Sequence, residues 1–247
     1  MNKPAGATRA VPLPRSAAPR RRQLPRMERH TLQAEVYGAI RHALMTGQFV
    51  PGEQLTLRDL AAALGTSMMP VRDAMVRLVA EGALELLPNR TTALPLMTRD
   101  RLRQLYRIRI ALEVMLVEGA AHRVSAADLA TLAALTERME ADRRGSDVTG
   151  FVAHNQEFHF IIYRAANESV LFRMMETLWL QVGPFIHFSL TEHGMTMGND
   201  QHRIAVAAME KGDVRGACRA MKRDIAEAAA TIIRRLPEEP STPPRRR

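Results

Sequence analysis

Two short amphipathic stretches flank a glycine in TLRDLAAALGTSMMPVRDAMVRLVAEG, residues 56–82, and this spacing leaves the chain few folds. Thr56 is placed to N-cap a first helix over Leu57–Leu64, and Gly65 supplies the left-handed position that ends it. Ser67 is placed to cap a second helix. Pro70 falls in its first turn, where a missing N–H costs nothing because those donors have no partner within the helix. Along that helix Val71, Met75, Leu78 and Val79 share one apolar face, while Met69, Asp73 and Val76 look the other way and Arg72 sits on the flank near its start. The pattern predicts a helix-turn-helix with a basic residue at the end that would enter a major groove. Two amphipathic helices around a glycine also serve as plain connectors in helical bundles, so this spacing alone leaves both readings open.

At 247 residues the chain has room for two ordinary domains. Few aromatics and many Leu, Ala and Met favour helices packed through flexible aliphatic side chains. Cys218 is the single cysteine, which excludes a disulfide framework and a thiolate zinc cluster and fits a reducing, cytoplasmic setting. No apolar run approaches the ~20 residues that cross a bilayer, and no signal-peptide core follows Met1. The net charge of +9 says little about nucleic acid, because its placement is uneven. Lys3 and seven Arg stand against Glu28 alone in the first 29 residues, whereas residues 30–92 hold five Arg and six acids. Affinity for DNA has to be argued from placed residues.

The Pro-, Ala- and Arg-rich segment 1–29 lacks an apolar period and is expected to be disordered, as is 236–247. For the former, an arm on the DNA backbone, translation starting at Met27 and inert sequence all stay open. A first helix is expected over Thr31–Thr46, closed by Gly47. After the helix-turn-helix, strand candidates at Ala83–Leu87 and Thr92–Leu96 around Pro88-Asn89-Arg90 would form a β-wing. Thr98 is a plausible cap for the next helix, giving a winged helix-turn-helix over 30–97. Residues 98–235 read as an all-α antiparallel bundle: Arg99–Arg123, Ala126–Arg144, Thr149–Ala166, Glu168–Leu190, Asp200–Lys211 and Val214–Arg235. Ser125 caps the second of these, Gly145 ends it, and Gly183-Pro184 should kink or split the fourth.

The run L-R-D-L-A…L-G-T-S-x-x-P-V-R-D-A…R-L…E-G, with A-I-R-H-A-L-M-T-G-Q-F-V-P-G-E-Q-L before it, resembles the winged helix-turn-helix of GntR-type bacterial transcription regulators. R-x-x-L-E at Arg109–Glu113, F-x-x-x-N-x-x-F-H at Phe151–His159, A-N at Ala166–Asn167 and the spacing of His202, Asp213 and Asp224 are similar to the FCD ligand-sensing domain of the FadR-type branch. The resemblance implies a homodimer that binds an inverted-repeat operator in double-stranded DNA and answers to a small carboxylate effector. Arg58, Ser67, Met68, Met69 and Arg72, joined by Asn89 and Arg90 of the wing, are the expected DNA-facing residues. Met68 stands where relatives commonly carry a base-reading Arg, and Thr91 replaces the usual wing Gly.

Within the second part, Asn155 and His159 lie four apart on one helix face, in a sequence neighbourhood of Phe151, Val152, Phe158 and Ile162 that should point inward. His202 and Asp224 are each eleven residues from Asp213, so a hairpin pivoting there brings them level. Four N/O ligands can then converge, a set suited to a divalent ion such as Zn²⁺, Ni²⁺ or Mn²⁺. Metal-dependent members of the resembled family show Asp where Asn155 stands and His where Asp224 stands, so one formal negative charge is retained at a different place. Hydrogen-bonded core histidines are the other reading of His159 and His202. By resemblance Arg109 would clamp the carboxylate of an effector; an ion pair with Glu113 is its alternative role. A metal-dependent enzyme using the two histidines and one carboxylate is the rival function, weakened by the lack of a nucleophile–base pair and of an E-x-x-H carboxylate set.

Overall fold

The computed structural model describes residues 32–194 and 198–236. Of the stretches expected to be disordered, 1–29 lies outside them, as does 236–247 apart from Leu236. Val36, Ile40 and Leu44, four apart, give the first helix α1 (Leu32–Met45) a buried stripe. Short α2 (Leu57–Ala63) starts on Thr56, whose hydroxyl accepts from the Asp59 N–H at 3.1 Å and donates to the Asp59 carboxylate at 2.7 Å. Gly65 takes the left-handed turn at φ +61°. Then α3 (Met68–Ala80) packs Val71, Ala74, Met75 and Leu78 inward against α1.

Ser67 stands at the N-cap of α3 in extended backbone, but its side chain makes no capping hydrogen bond. Two-residue strands β1 (Gln54–Leu55), β2 (Glu85–Leu86) and β3 (Thr92–Ala93) form an antiparallel sheet with β3 in the middle. The wing is therefore present, and β1 is an addition to the sequence reading. In the wing turn the positive φ falls on Arg90, at +62°, so Thr91 meets no backbone demand for glycine.

Six helices complete the chain: α4 (Arg99–Ala121), α5 (Ala126–Gly145), α6 (Val148–Ala166), α7 (Ser169–His193), α8 (Asp200–Glu210) and α9 (Val214–Arg235), among the described residues. Side-chain caps set four of these starts, Thr98 for α4, a reciprocal Ser125–Asp128 capping box for α5, Asp147 for α6 and Asp213 for α9. Gly145 is the last residue of α5, yet the left-handed cap is Ser146 at φ +58°. No strand occurs in this part among the described residues, and no described helix is long and apolar enough to cross a membrane. The chain is thus mainly helical, a winged helix-turn-helix followed by a helical bundle.

The expected break at Gly183-Pro184 does not occur, for α7 runs on through both residues. Trp179, Val182, Phe185 and Ile186 are all buried, and packing on both sides of the proline outweighs the hydrogen bond it forfeits. Gly183 serves a different end. A Cβ there would come within 2.6 Å of the Met45 carbonyl oxygen, so the glycine lets the end of α1 sit directly on α7. An Arg41–Glu176 ion pair at 2.9 Å and a Gln156 amide N–H donated to Met45 Sδ at 3.3 Å join the winged part to the bundle at the same place.

These contacts set the sign of two substitutions. Gly38 lies exposed within α1 with nothing near its would-be Cβ, so Gly38→Ala should stabilise the chain by ~0.5–1 kcal/mol, as helix propensity dictates. Gly183→Ala, also inside a helix, should instead destabilise by ~1–3 kcal/mol because rigid backbone occupies the space. Urea denaturation of the two variants beside the parent would expose an error in either sign.

Candidate functional site

The bundle buries polar groups where apolar ones would be expected. Arg109 and Glu113 come from α4, Asn155 and His159 from α6, His202 from α8 and Asp224 from α9. All but Asp224 are buried, Glu113 and His159 completely. The hairpin between α8 and α9 brings His202 level with Asp224, with His202 Nδ1 3.5 Å from Asp224 Oδ1. Across the space, His159 Nε2 lies 3.7 Å from Asp224 Oδ2, and the two imidazole centroids are 5.4 Å apart. One ligand atom from each of His159, His202 and Asp224 lies within 4.8 Å of the others. A cavity of about 180 Å³ opens there, lined by these three, by Asn155 and Arg109, and by Ile186 of α7. The structure therefore brings together every bundle residue singled out in the sequence.

A buried network behind the cavity fixes how His159 presents itself. The Glu113 carboxylate receives His159 Nδ1 at 2.8 Å and the Tyr163 hydroxyl at 2.6 Å, and Trp179 Nε1 donates to the Tyr163 oxygen at 3.2 Å. Burial pushes the Glu113 carboxyl up, but His159, Arg109 and Tyr163 together outweigh it and hold Glu113 below the ordinary carboxylate range. With Nδ1 committed to Glu113, His159 turns its Nε2 toward Asp224 and His202. Burial also pushes the His202 pKa down, which favours its neutral ring.

His159 Nε2 and both ring nitrogens of His202 are buried without a hydrogen-bond partner among the described residues. The core-histidine reading accounts for His159 Nδ1, which is bonded to Glu113, and leaves these three nitrogens unaccounted for. The donor set does fit a divalent cation: two imidazole nitrogens, one of them on the carboxylate-backed His159, and one carboxylate.

Arg109 falls between its two expected roles. Its Nε is 3.7 Å from Glu113 and has no hydrogen-bond partner, and its guanidinium carbon lies 4.3 Å above the Trp179 ring. It also lines the cavity. Sequence reasoning missed Tyr163 and Trp179, and saw Glu113 only as a partner for Arg109. The available signal was a second ionisable residue one turn along a helix otherwise apolar on that side.

In the winged part, Arg58, Ser67, Arg72, Asn89 and Arg90 are exposed, as are Met68 and Met69 at 56% and 64%. Arg72 and Arg90 line one groove between α3 and the wing, together with Val76 and Leu86. Arg77 is matched by Glu81 and Arg41 by Glu176, whereas Arg58, Arg72 and Arg90 have no carboxylate partner among the described residues. Exposed guanidiniums of this kind, two of them in one groove, suit phosphates or guanine edges.

Residues 32–94 match the family described as bacterial regulatory proteins, gntR family, and residues 104–227 match the FCD domain. The HTH-type transcriptional regulator McbR of Escherichia coli (strain K12) is 30% identical over 216 residues, covering 84% of this chain and 95% of the relative. A probable D-xylose utilization operon transcriptional repressor of Paenarthrobacter nicotinovorans is 29% identical, covering 76% of this chain and 83% of its own length. Among solved structures, E. coli McbR/YncC superposes with a TM-score of 0.77 at 28% identity, covering 83% of this chain and 98% of that one. A putative GntR regulator from Rhodococcus sp. RHA1, at 22% identity and a TM-score of 0.70, covers 83% of this chain and 99% of its own, and shares the fold.

The Glu113 network makes a sharp energetic claim. Glu113→Ala removes the acceptor of two buried donors and the countercharge nearest Arg109, so it should cost ~3–5 kcal/mol of folding stability. Chemical denaturation reads this directly, and a loss below ~1 kcal/mol would show that the network carries little of the bundle.

Proposed function

Because the chain belongs to the GntR family of bacterial regulatory proteins and carries an FCD domain, we propose that its bundle cavity senses a small carboxylate and thereby sets how tightly the winged part holds an operator. The family is one of DNA-binding transcription regulators, and the enzyme alternative finds no counterpart among these relatives, all of them regulators. The observation that carries the sensing role is the set of orphaned imidazole nitrogens on His159 and His202, facing Asp224 in a cavity with Arg109 on its wall.

His159, His202 and Asp224, with Asn155 as a fourth and weaker donor, are the residues that would hold a divalent ion. When bound, such an ion supplies Lewis acidity toward an effector carboxylate. Arg109 offers that carboxylate a charged anchor in a place shielded from water, where charge-assisted hydrogen bonds are strong. The cavity is close in size to one of ~150 Å³ that holds benzene, which limits the effector to a compact acid. We read the protein as a repressor of metabolic genes, in line with the operon repressor among its relatives. It would act as a two-fold dimer on an inverted repeat, because one helix-turn-helix per chain reads only a half-site. An effector changes operator affinity only if it binds the two arrangements of the dimer unequally.

Two measurements test this reading. Elemental analysis after gentle purification should find a divalent metal in the parent, none in His159→Ala or His202→Ala, and tighter retention in Asn155→Asp, which adds a charge beside His159. If the parent holds none and Asn155→Asp recruits none, the cavity is a plain polar pocket. A mobility shift with DNA from upstream of the protein's own gene tests the other half. Arg72→Ala should weaken specific binding by ~1–3 kcal/mol at fixed salt while leaving the thermal stability of the bundle unchanged. Wild-type affinity in that variant would remove Arg72 from the interface.

A further inference from the structure

The exposed face of α3 is oddly apolar for a surface offered to a polyanion. Met68, Met69 and Val76 are 56%, 64% and 66% exposed, and Leu86 of the wing, beside Val76 in the same groove, is 62% exposed. Single exposed apolar residues are ordinary, but here they occupy the positions that flank Arg72 on one helix face. The hydrogen-bonding side chains on that face are few. Arg77 is tied to Glu81, and the Asp73 carboxylate takes an amide N–H from Gln33 of α1 at 2.8 Å. Arg72 is left as the one side chain of exposed α3 that has no partner among the described residues and can read a base edge by hydrogen bonds.

A partner for this face must combine negative charge, to meet Arg72 and Arg90, with apolar points set among hydrogen-bonding groups. The major groove of DNA holds one apolar group, the 5-methyl of thymine. We infer that Met68, Met69 and Val76 read the operator through thymine methyl groups, with Arg72 reading a polar base edge between them. This rests on the reading that α3 enters the groove. It means that the loss of a base-reading Arg at position 68 exchanges one kind of readout for another, hydrogen bonding for apolar contact, and that the operator core is rich in thymine at the contacted steps.

Deoxyuridine tests the inference, since it pairs as thymidine does and lacks only the methyl. Duplexes are first selected by the full chain from a random-core pool at fixed salt. The enriched duplex is then remade with deoxyuridine replacing one thymidine at a time. At the contacted positions each lost methyl should weaken binding about fourfold, the equivalent of ~0.8 kcal/mol for one buried methyl-sized group. A Met68→Ala/Met69→Ala variant should bind more weakly and no longer distinguish uracil from thymine at the positions those methionines contact, keeping the distinction only where Val76 does. Its salt dependence should be unchanged, because the phosphate contacts remain. These methionines are exposed, so the variant should fold as the parent does.

Equal affinity for thymidine and deoxyuridine duplexes overturns the inference while leaving DNA binding in place. Discrimination that survives unchanged at every position in the double variant overturns it too. So does a double variant altered in sedimentation but not in DNA affinity, which would give the patch to a protein partner. Failure to enrich any duplex over the starting pool would overturn the reading of α3 as a groove-binding helix, and this inference with it.

Discussion

A carboxylate with no solvent exposure sits at the middle of α4, and much of the bundle is arranged around the need to keep Glu113 ionised there. Moving such a group out of water costs several kcal/mol unless opposite charge and hydrogen bonds compensate. Compensation comes from three helices at once: Arg109 on α4, His159 and Tyr163 on α6, and Trp179 on α7 steadying the Tyr163 hydroxyl. Satisfying Glu113 therefore locks the register of α4, α6 and α7 against one another. It also fixes which nitrogen of His159 looks into the cavity. The ligand-facing chemistry is thus a consequence of a structural requirement one layer behind it.

The winged part is fastened to the same helices. On α6, Asn155 lines the cavity while its neighbour Gln156 holds Met45 at the end of α1. On α7, Trp179 and Ile186 face the sensing side, whereas Glu176 and Gly183 meet Arg41 and Met45 of α1. Since α1 packs in turn on α3, a displacement of α6 or α7 would have a short path of close-packed contacts to α3. Packed cores are poorly compressible, and motion at one end of such a path is felt at the other. The direct backbone contact at Gly183 leaves no soft side chain there to absorb it.

Legibility in the sequence followed the range of the interaction. Local signals were readable: the caps Thr56, Thr98 and Ser125, the i,i+4 pair Asn155 and His159, and the equal offsets of His202 and Asp224 from Asp213 all correspond to observed geometry. What could not be read depended on contacts distant in the chain. Strand β1 is two residues long and exists because β3 pairs with it. Continuity of α7 through Pro184 comes from burial on both sides, and the purpose of Gly183 comes from α1, more than a hundred residues earlier. Ser146 holds the left-handed position one residue past Gly145, a shift that composition does not signal because a polar residue tolerates that backbone at modest cost. Glu113 could be paired with Arg109 by spacing, but its bond to His159 joins residues 46 apart.

Both functional surfaces lie where the chain breaks the ordinary rule of apolar inside and polar outside. In the bundle, Arg109, Glu113, His159 and His202 are sealed from solvent; on α3, methionines and a valine face it. Each inversion departs from the arrangement that folding alone favours. A cavity lined with imidazole nitrogens that lack partners gains most from a ligand that supplies them. An exposed apolar stripe among unpaired guanidiniums gains most from a surface that is anionic overall yet carries apolar points. The two departures from the family pattern are of the same kind. On the proposed reading, Asn155 in place of Asp would weaken one ligand while Asp224 in place of His would restore the charge on the opposite helix, and Met68 in place of Arg would remove a hydrogen-bonding reader while adding an apolar one. In both places the class of partner would be kept and the way it is held would change. Specificity is therefore where this chain should differ most from its relatives, since sensing and DNA binding need only the frame they share.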